Sequence, residues 1–186
     1  GGYYMHTIED VQEVYFAYIN DPHDREMILE AYRYVEKQHA GIFRKSGEPY
    51  LQHLIEVAYI CASLQAGPTT ICAGLLHDVV EDTELTKEDV KKDFGEDVAE
   101  LVEGVTKLGK VPLFTKEEQQ AENVRKMLMA MSQDIRVIII KLADRIHNMR
   151  TLAFMKPHKR REKAQETLEI YAPIAHRLGI RGVKEE

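Results

Sequence analysis

The sequence predicts an all-α protein, on three observations. No run of alternating β-branched residues is bounded by hairpin turns. Apolar residues recur at helical spacing along most of the 186 residues. Cap and turn residues divide those runs into roughly eight to ten helices. The one segment apolar enough for a strand, residues 135–142, continues unbroken through 143–149, and that length favours helix.

The elements follow in chain order. A first helix is expected over residues 7–19, closed by Asn20-Asp21-Pro22. A second covers 24–40, with Ile28, Tyr32 and Val35 on one face. Gly47 and Pro49 mark residues 41–50 as a turn, and Pro49 can open a third helix. His53 falls in its first turns, and Leu54, Val57, Ala58 and Cys61 follow at helical spacing. Gly67-Pro68 precedes a buried helix capped at Thr69 or Thr70 and running to Thr83. Thr86 and Asp89 have capping-box spacing, and that helix stops at Phe94-Gly95. Helices over 97–107, 116–131, 134–155 and 159–171 complete the chain, with a loop at 109–115 and breaks at Pro157 and Pro173. No repeat, low-complexity tract or linker interrupts it.

Composition narrows the classes of function. Hydrophobic residues are 44% and charged residues 30%, an ordinary globular balance. No apolar run reaches the length of a membrane span, and residues 1–5 carry no secretory pattern, so neither membrane insertion nor export is expected. Cys61 and Cys72 lie in apolar helical patterns without a CxxC partner and read as reduced core residues of a cytoplasmic protein. A net charge of −6 argues against a nucleic-acid-binding surface, while leaving room for a local basic pocket that takes a nucleotide.

Two stretches resist a purely structural reading. Within 74–83, His77, Asp78, Glu81 and Asp82 would share one broad helical face. Three carboxylates there repel one another near a helix C-terminus, where the dipole favours cations. Burying one beside Leu76 and Val79 without a partner would cost several kcal/mol. A divalent cation held by His77 and Asp78 relieves the conflict; a solvated acidic helix end is the alternative. On the long helix, Lys141, Asp144, Asn148 and Thr151 form a polar stripe on an otherwise apolar element. That stripe reads either as a pocket wall or as a surface face. His53, His77, Asp78 and Asp144 together make a two-histidine, two-aspartate set drawn from three helices.

The ordered pattern of His53, His77-Asp78 and Asp144 resembles the metal-binding signature of the HD-domain phosphohydrolases. One branch is closer. Arg44-Lys45-Ser46-Gly47-Glu48-Pro49-Tyr50, His77-Asp78-Val79-Val80-Glu81-Asp82-Thr83, Gly104-Val105-Thr106-Lys107-Leu108 and residues 141–151 resemble the hydrolase domain of the RelA/SpoT homologues. The resemblance implies a multi-helix HD architecture over residues 1–175, with 176–186 leading toward a synthetase domain not contained in the chain. It implies hydrolysis of the 3′-diphosphate of ppGpp or pppGpp, releasing pyrophosphate and GDP or GTP. Its metal is one Mn²⁺, held by His53, His77, Asp78 and Asp144. Glu81 and Asp82 would position or deprotonate the attacking water. Arg44, Lys45 and Ser46 would lie at the guanine end, Asn148 and Thr151 at the ribose, and Lys141 or Arg145 near phosphate. The basic run at Lys156, Lys159, Arg160, Arg161 and Lys163 has no assigned role. Association with the ribosome is expected only through regions outside this chain. Two alternatives stay open: a regulatory nucleotide-binding HD domain, and an HD phosphohydrolase acting on another nucleotide.

Overall fold

The computed structural model describes residues 5–44, 47–109 and 134–151. Among them are eight helices: α1 (Ile8–Phe16), α2 (Pro22–Gln38), α3 (Tyr50–Ser63), α4 (Pro68–Leu76), α5 (Val79–Asp82), α6 (Lys87–Phe94), α7 (Glu96–Gly109) and α8 (Ile135–Arg150). The extended pairing in these residues is a single bridge, Phe43 with Pro49. The all-α expectation holds. The expected helices at 116–131 and 159–171, the basic run, the breaks at Pro157 and Pro173 and the boundary after residue 175 lie outside the described residues.

Local chemistry sets the helix starts. Thr7 accepts from the Asp10 amide while Asp10 accepts from that of Thr7, a reciprocal cap on α1. Thr86 and Asp89 repeat the device on α6, as their spacing predicts. Asp21 and Asp134 cap α2 and α8 by accepting from the amides of His23 and Arg136. Gly95, at φ +95°, ends α6 in a conformation that L side chains avoid.

The helix expected to run to Thr83 is different in two respects. Its N-cap is Gly67, with Pro68 in the first turn, and Thr70 is buried within the helix. Proline already lacks one of the N–H groups that a threonine cap would satisfy. The helix also stops at Leu76. The His77 ring donates from Nδ1 to the Gly74 carbonyl at 2.6 Å, the acceptor a continuing helix would offer to the Asp78 amide. The chain restarts as the short α5, so His77 and Asp78 stand at a break and Glu81 and Asp82 on a separate turn.

α3 is the hub. Residues on every side of it are buried, from His53 and Leu54 to Cys61 and Ala62. It packs on α1, α4 and α8, while α4 also meets α2, α7 and α8. Burying a side chain such as Leu54 contributes about 1.5–3 kcal/mol, and α3 and α4 together supply many of the fully buried apolar positions. Cys61 and Cys72 are buried and unpaired, and burial pushes both thiols up to about 12. The mutually packed α3, α4 and α8 are the frame on which the polar cluster sits.

Candidate functional site

One ligand atom from each of His53, His77, Asp78 and Asp144 lies within 4.8 Å of the others. His53 comes from the first turn of α3, His77 and Asp78 from the α4–α5 break, and Asp144 from the middle of α8. Because these elements pack against one another, residues remote in sequence converge in the interior. His53, His77 and Asp144 are buried, at 2%, 3% and 8% exposure.

The hydrogen bonding of His77 decides what this cluster suits. A carbonyl oxygen only accepts, so the Gly74 contact fixes the proton on Nδ1. Nε2 has no hydrogen-bond partner among the described residues. It nevertheless faces Asp78 Oδ2 at 3.0 Å and Asp144 Oδ1 at 3.3 Å. A buried ring nitrogen aimed between two carboxylates fits a shared cation. Burial opposes charge on His77, yet the Asp78 and Asp144 carboxylates hold its pKa well above the imidazole range. Burial likewise works against ionising Asp78 and Asp144. His77 brings Asp78 down to about 2, and the closeness of His53, His77 and Lys141 holds Asp144 well below the usual range. The site therefore favours two carboxylates with positive charge among them. Two nitrogen and two oxygen donors are compatible with several first-row divalent ions.

Tyr50 reaches the same group. Its hydroxyl donates to Asp78 Oδ2 at 2.5 Å, and burial with the nearby carboxylates pushes the phenol far above its ordinary pKa, so it remains a donor. Tyr50 also stacks on the buried His39, with ring centroids 5.2 Å apart. Glu81 and Asp82 are exposed on α5. Partial desolvation and the charge of Asp78 raise the Asp82 carboxyl above the usual carboxylate range, while Tyr50 pulls the other way.

A second polar chain borders the first. Gly47, at φ +88°, lets the turn fold back so that the Arg44 amide meets the Glu48 carbonyl at 2.9 Å. The Arg44 guanidinium then donates to Glu48 Oε1 at 2.7 Å and to Asn148 Oδ1 at 2.6 Å. Arg44 and Asn148, expected near one substrate, are thus joined directly. Thr151 is buried and donates to the Asn148 carbonyl at 3.0 Å. Lys141 turns back toward Asp144, with Nζ 3.6 Å from Oδ2. Arg145 is buried, at 7% exposure. Lys45 and Ser46 fall outside the described residues. The expected pocket-wall stripe on α8 is half-buried or buried at Lys141, Asp144, Asn148 and Thr151, which removes the solvated-face alternative.

The sequence reading missed His147, Glu48 and Tyr50 as individual participants. His147 is fully buried, and its Nδ1 is 2.6 Å from Nδ1 of His53. Burial, with the charges of His53 and Arg44, lowers its pKa to about 3. Its position three residues after Asp144 was the available signal, because that spacing shares a helix face.

The family described as the HD domain matches residues 31–181. The chain is 52% identical over 183 residues to the bifunctional (p)ppGpp synthase/hydrolase SpoT of Escherichia coli, covering 98% of this chain and 26% of that protein. It is 57% identical over 148 residues to the guanosine-3′,5′-bis(diphosphate) 3′-pyrophosphohydrolase of Haemophilus influenzae, covering 80% of this chain and 22% of the relative. Among solved structures, it resembles a metazoan ortholog of SpoT described as hydrolysing ppGpp, with a TM-score of 0.62 and 26% identity, covering 83% of this chain and 96% of that one. The chain thus spans about a quarter of the length of these bacterial relatives.

Proposed function

The chain belongs to the HD-domain family, in its RelA/SpoT branch, and from that membership we propose that it hydrolyses the 3′-diphosphate of ppGpp or pppGpp. The products are GDP or GTP and pyrophosphate. The observation that carries the reading is His77, whose buried Nε2 faces Asp78 and Asp144 without a hydrogen-bond partner. Relatives named for ppGpp chemistry supply the substrate class.

His53, His77, Asp78 and Asp144 are the residues that would hold the ion, and Mn²⁺ is the ion we propose. When bound, such an ion polarises phosphate oxygens and makes water more acidic. The chain's own groups do the rest. Asp82, with its raised pKa, and Glu81 beside it accept the proton of the attacking water and orient it. Tyr50 keeps Asp78 ionised and correctly turned by donating to it. Arg44, held in place by Glu48 and Asn148, supplies the guanidinium plane that stacks on a guanine. Lys45 and Ser46 extend that contact, Thr151 and Asn148 meet the ribose, and Lys141 or Arg145 adds positive charge beside the phosphates.

We assign residues 1–175 to the hydrolase domain and 176–186 to a connector toward further domains. The chain is placed in the cytoplasm, without nucleic-acid contact of its own. No described helix is long and apolar enough to cross a membrane. Ribosome association is reserved for regions beyond this chain.

Pyrophosphate release from ppGpp with added Mn²⁺ tests the proposal. The unmodified chain is expected to release it. The double variant Glu81→Gln/Asp82→Asn is expected to bind Mn²⁺ without turnover. Nucleotide binding without release by the unmodified chain would replace this reading with a regulatory domain. Release from a different phosphorylated nucleotide alone would change the substrate.

A further inference from the structure

We propose that His147 is a positioning residue that keeps the Nε2 lone pair of His53 available to the metal ion by accepting a hydrogen bond from the His53 Nδ1–H. The inference rests on the metal-centre reading above and adds to it a group outside the ligand set.

Two imidazole nitrogens 2.6 Å apart cannot both donate or both accept. One tautomer pair gives His53 an Nδ1–H and leaves its Nε2 bare, 2.8 Å from Asp144 Oδ1. The opposite pair puts the proton on His53 Nε2, where it bonds to Asp144 and leaves no lone pair for an ion. Arg44 discriminates between them. Its Nη1 lies 3.4 Å from the same His147 Nδ1. A guanidinium has donors and no acceptor, so the nitrogen it faces is the accepting one. His147 Nδ1 therefore carries the lone pair and His53 Nδ1 the proton. The shell around a metal-bound histidine commonly fixes its tautomer in this way.

The arrangement has a further consequence. Arg44 and Asn148, proposed for the nucleoside end, reach the metal ligand through one buried ring. His147 is 0% exposed, and Glu48 Oε1 stands 3.8 Å from its Nε2. The ring is therefore enclosed by groups from the turn, α3 and α8.

Substitution separates hydrogen bonding from packing. His147→Asn places an amide oxygen near the former Nδ1 position but leaves more empty volume. His147→Leu fills more of the volume but accepts nothing. With chelated protein titrated with Mn²⁺ and followed by electron paramagnetic resonance, affinity is expected to fall about 10- to 100-fold in His147→Leu. His147→Asn is expected to retain most of it. The reverse order, or equal affinity in all three proteins, overturns the proposal while leaving the metal centre standing. Absence of Mn²⁺ binding by the unmodified chain overturns both. A second measurement needs no variant: imidazole ¹⁵N shifts of the unmodified, metal-free protein should show His53 protonated at Nδ1 and His147 bare there. His147 protonated at Nδ1 overturns the inference.

Discussion

α3 carries two buried polar clusters one helical turn apart, and they are built differently. Glu56, 1% exposed, accepts from the His6 amide at 2.8 Å, lies 2.8 Å from His6 Nδ1, and accepts from Gln52 Nε2 at 3.0 Å. Both carboxylate oxygens that the fold buries there meet a partner supplied by the chain. Three residues earlier, His53 joins His77, Asp78 and Asp144, where a buried ring nitrogen faces carboxylates without a hydrogen-bond partner. Burial alone therefore does not mark a functional site, since both clusters are buried. The mark is a donor deficit. A polar group completed by protein ties the N-terminal segment to α3, whereas one left short of positive charge awaits a ligand.

The largest expected difference lies in Asp144→Asn. Removing a proposed ligand should weaken Mn²⁺ binding by more than about 100-fold, beyond the range for groups that only support a ligand. Mn²⁺ should raise the thermal midpoint of the unmodified protein by mass action and leave that of the variant unmoved. A midpoint rising equally in both would erase the contrast between the clusters. Glu56→Gln should act in the opposite sense. It should cost about 1–3 kcal/mol of folding stability by denaturant titration, because buried donors lose a charged acceptor. Mn²⁺ affinity should stay as it was, and a parallel loss would show that the two clusters are one unit. Tyr50→Phe is the smallest change. It removes one donor to Asp78, so metal affinity should fall by about 10-fold, at the low end for a supporting group. Stability of the chelated protein should change by only about 1 kcal/mol. A larger loss of stability than of affinity would place Tyr50 with the structural cluster.

Much of the site was legible because its signals are local or ordered along the chain. His53, His77-Asp78 and Asp144 stand in the order of a known signature, and the stripe on α8 follows from helical spacing. Thr86 and Asp89 announce their own cap for the same reason. The break after Leu76 was not legible, because it depends on which way the His77 ring turns. An apolar run through residues 71–80 favours a continuous helix, and one side-chain bond to Gly74 ends it. His147 was hidden for a related reason. Beside Asp144 and Asn148 it reads as one more polar residue on a helix, and its role exists only where α8 meets α3.

The sequence by itself determined the helical class, the Thr86–Asp89 cap, the buried cysteines and the residue types able to hold a divalent ion. These depend on neighbours within a few residues, or on a motif whose order survives without coordinates. The packing of α3, α4 and α8 decided which lone pairs face which carboxylates, that Arg44 holds Asn148, and that His53 meets His147. The last two join residues separated by 104 and 94 positions, so no local rule contains them. They come into being only when the apolar faces of the helices are buried against one another, carrying the polar groups with them.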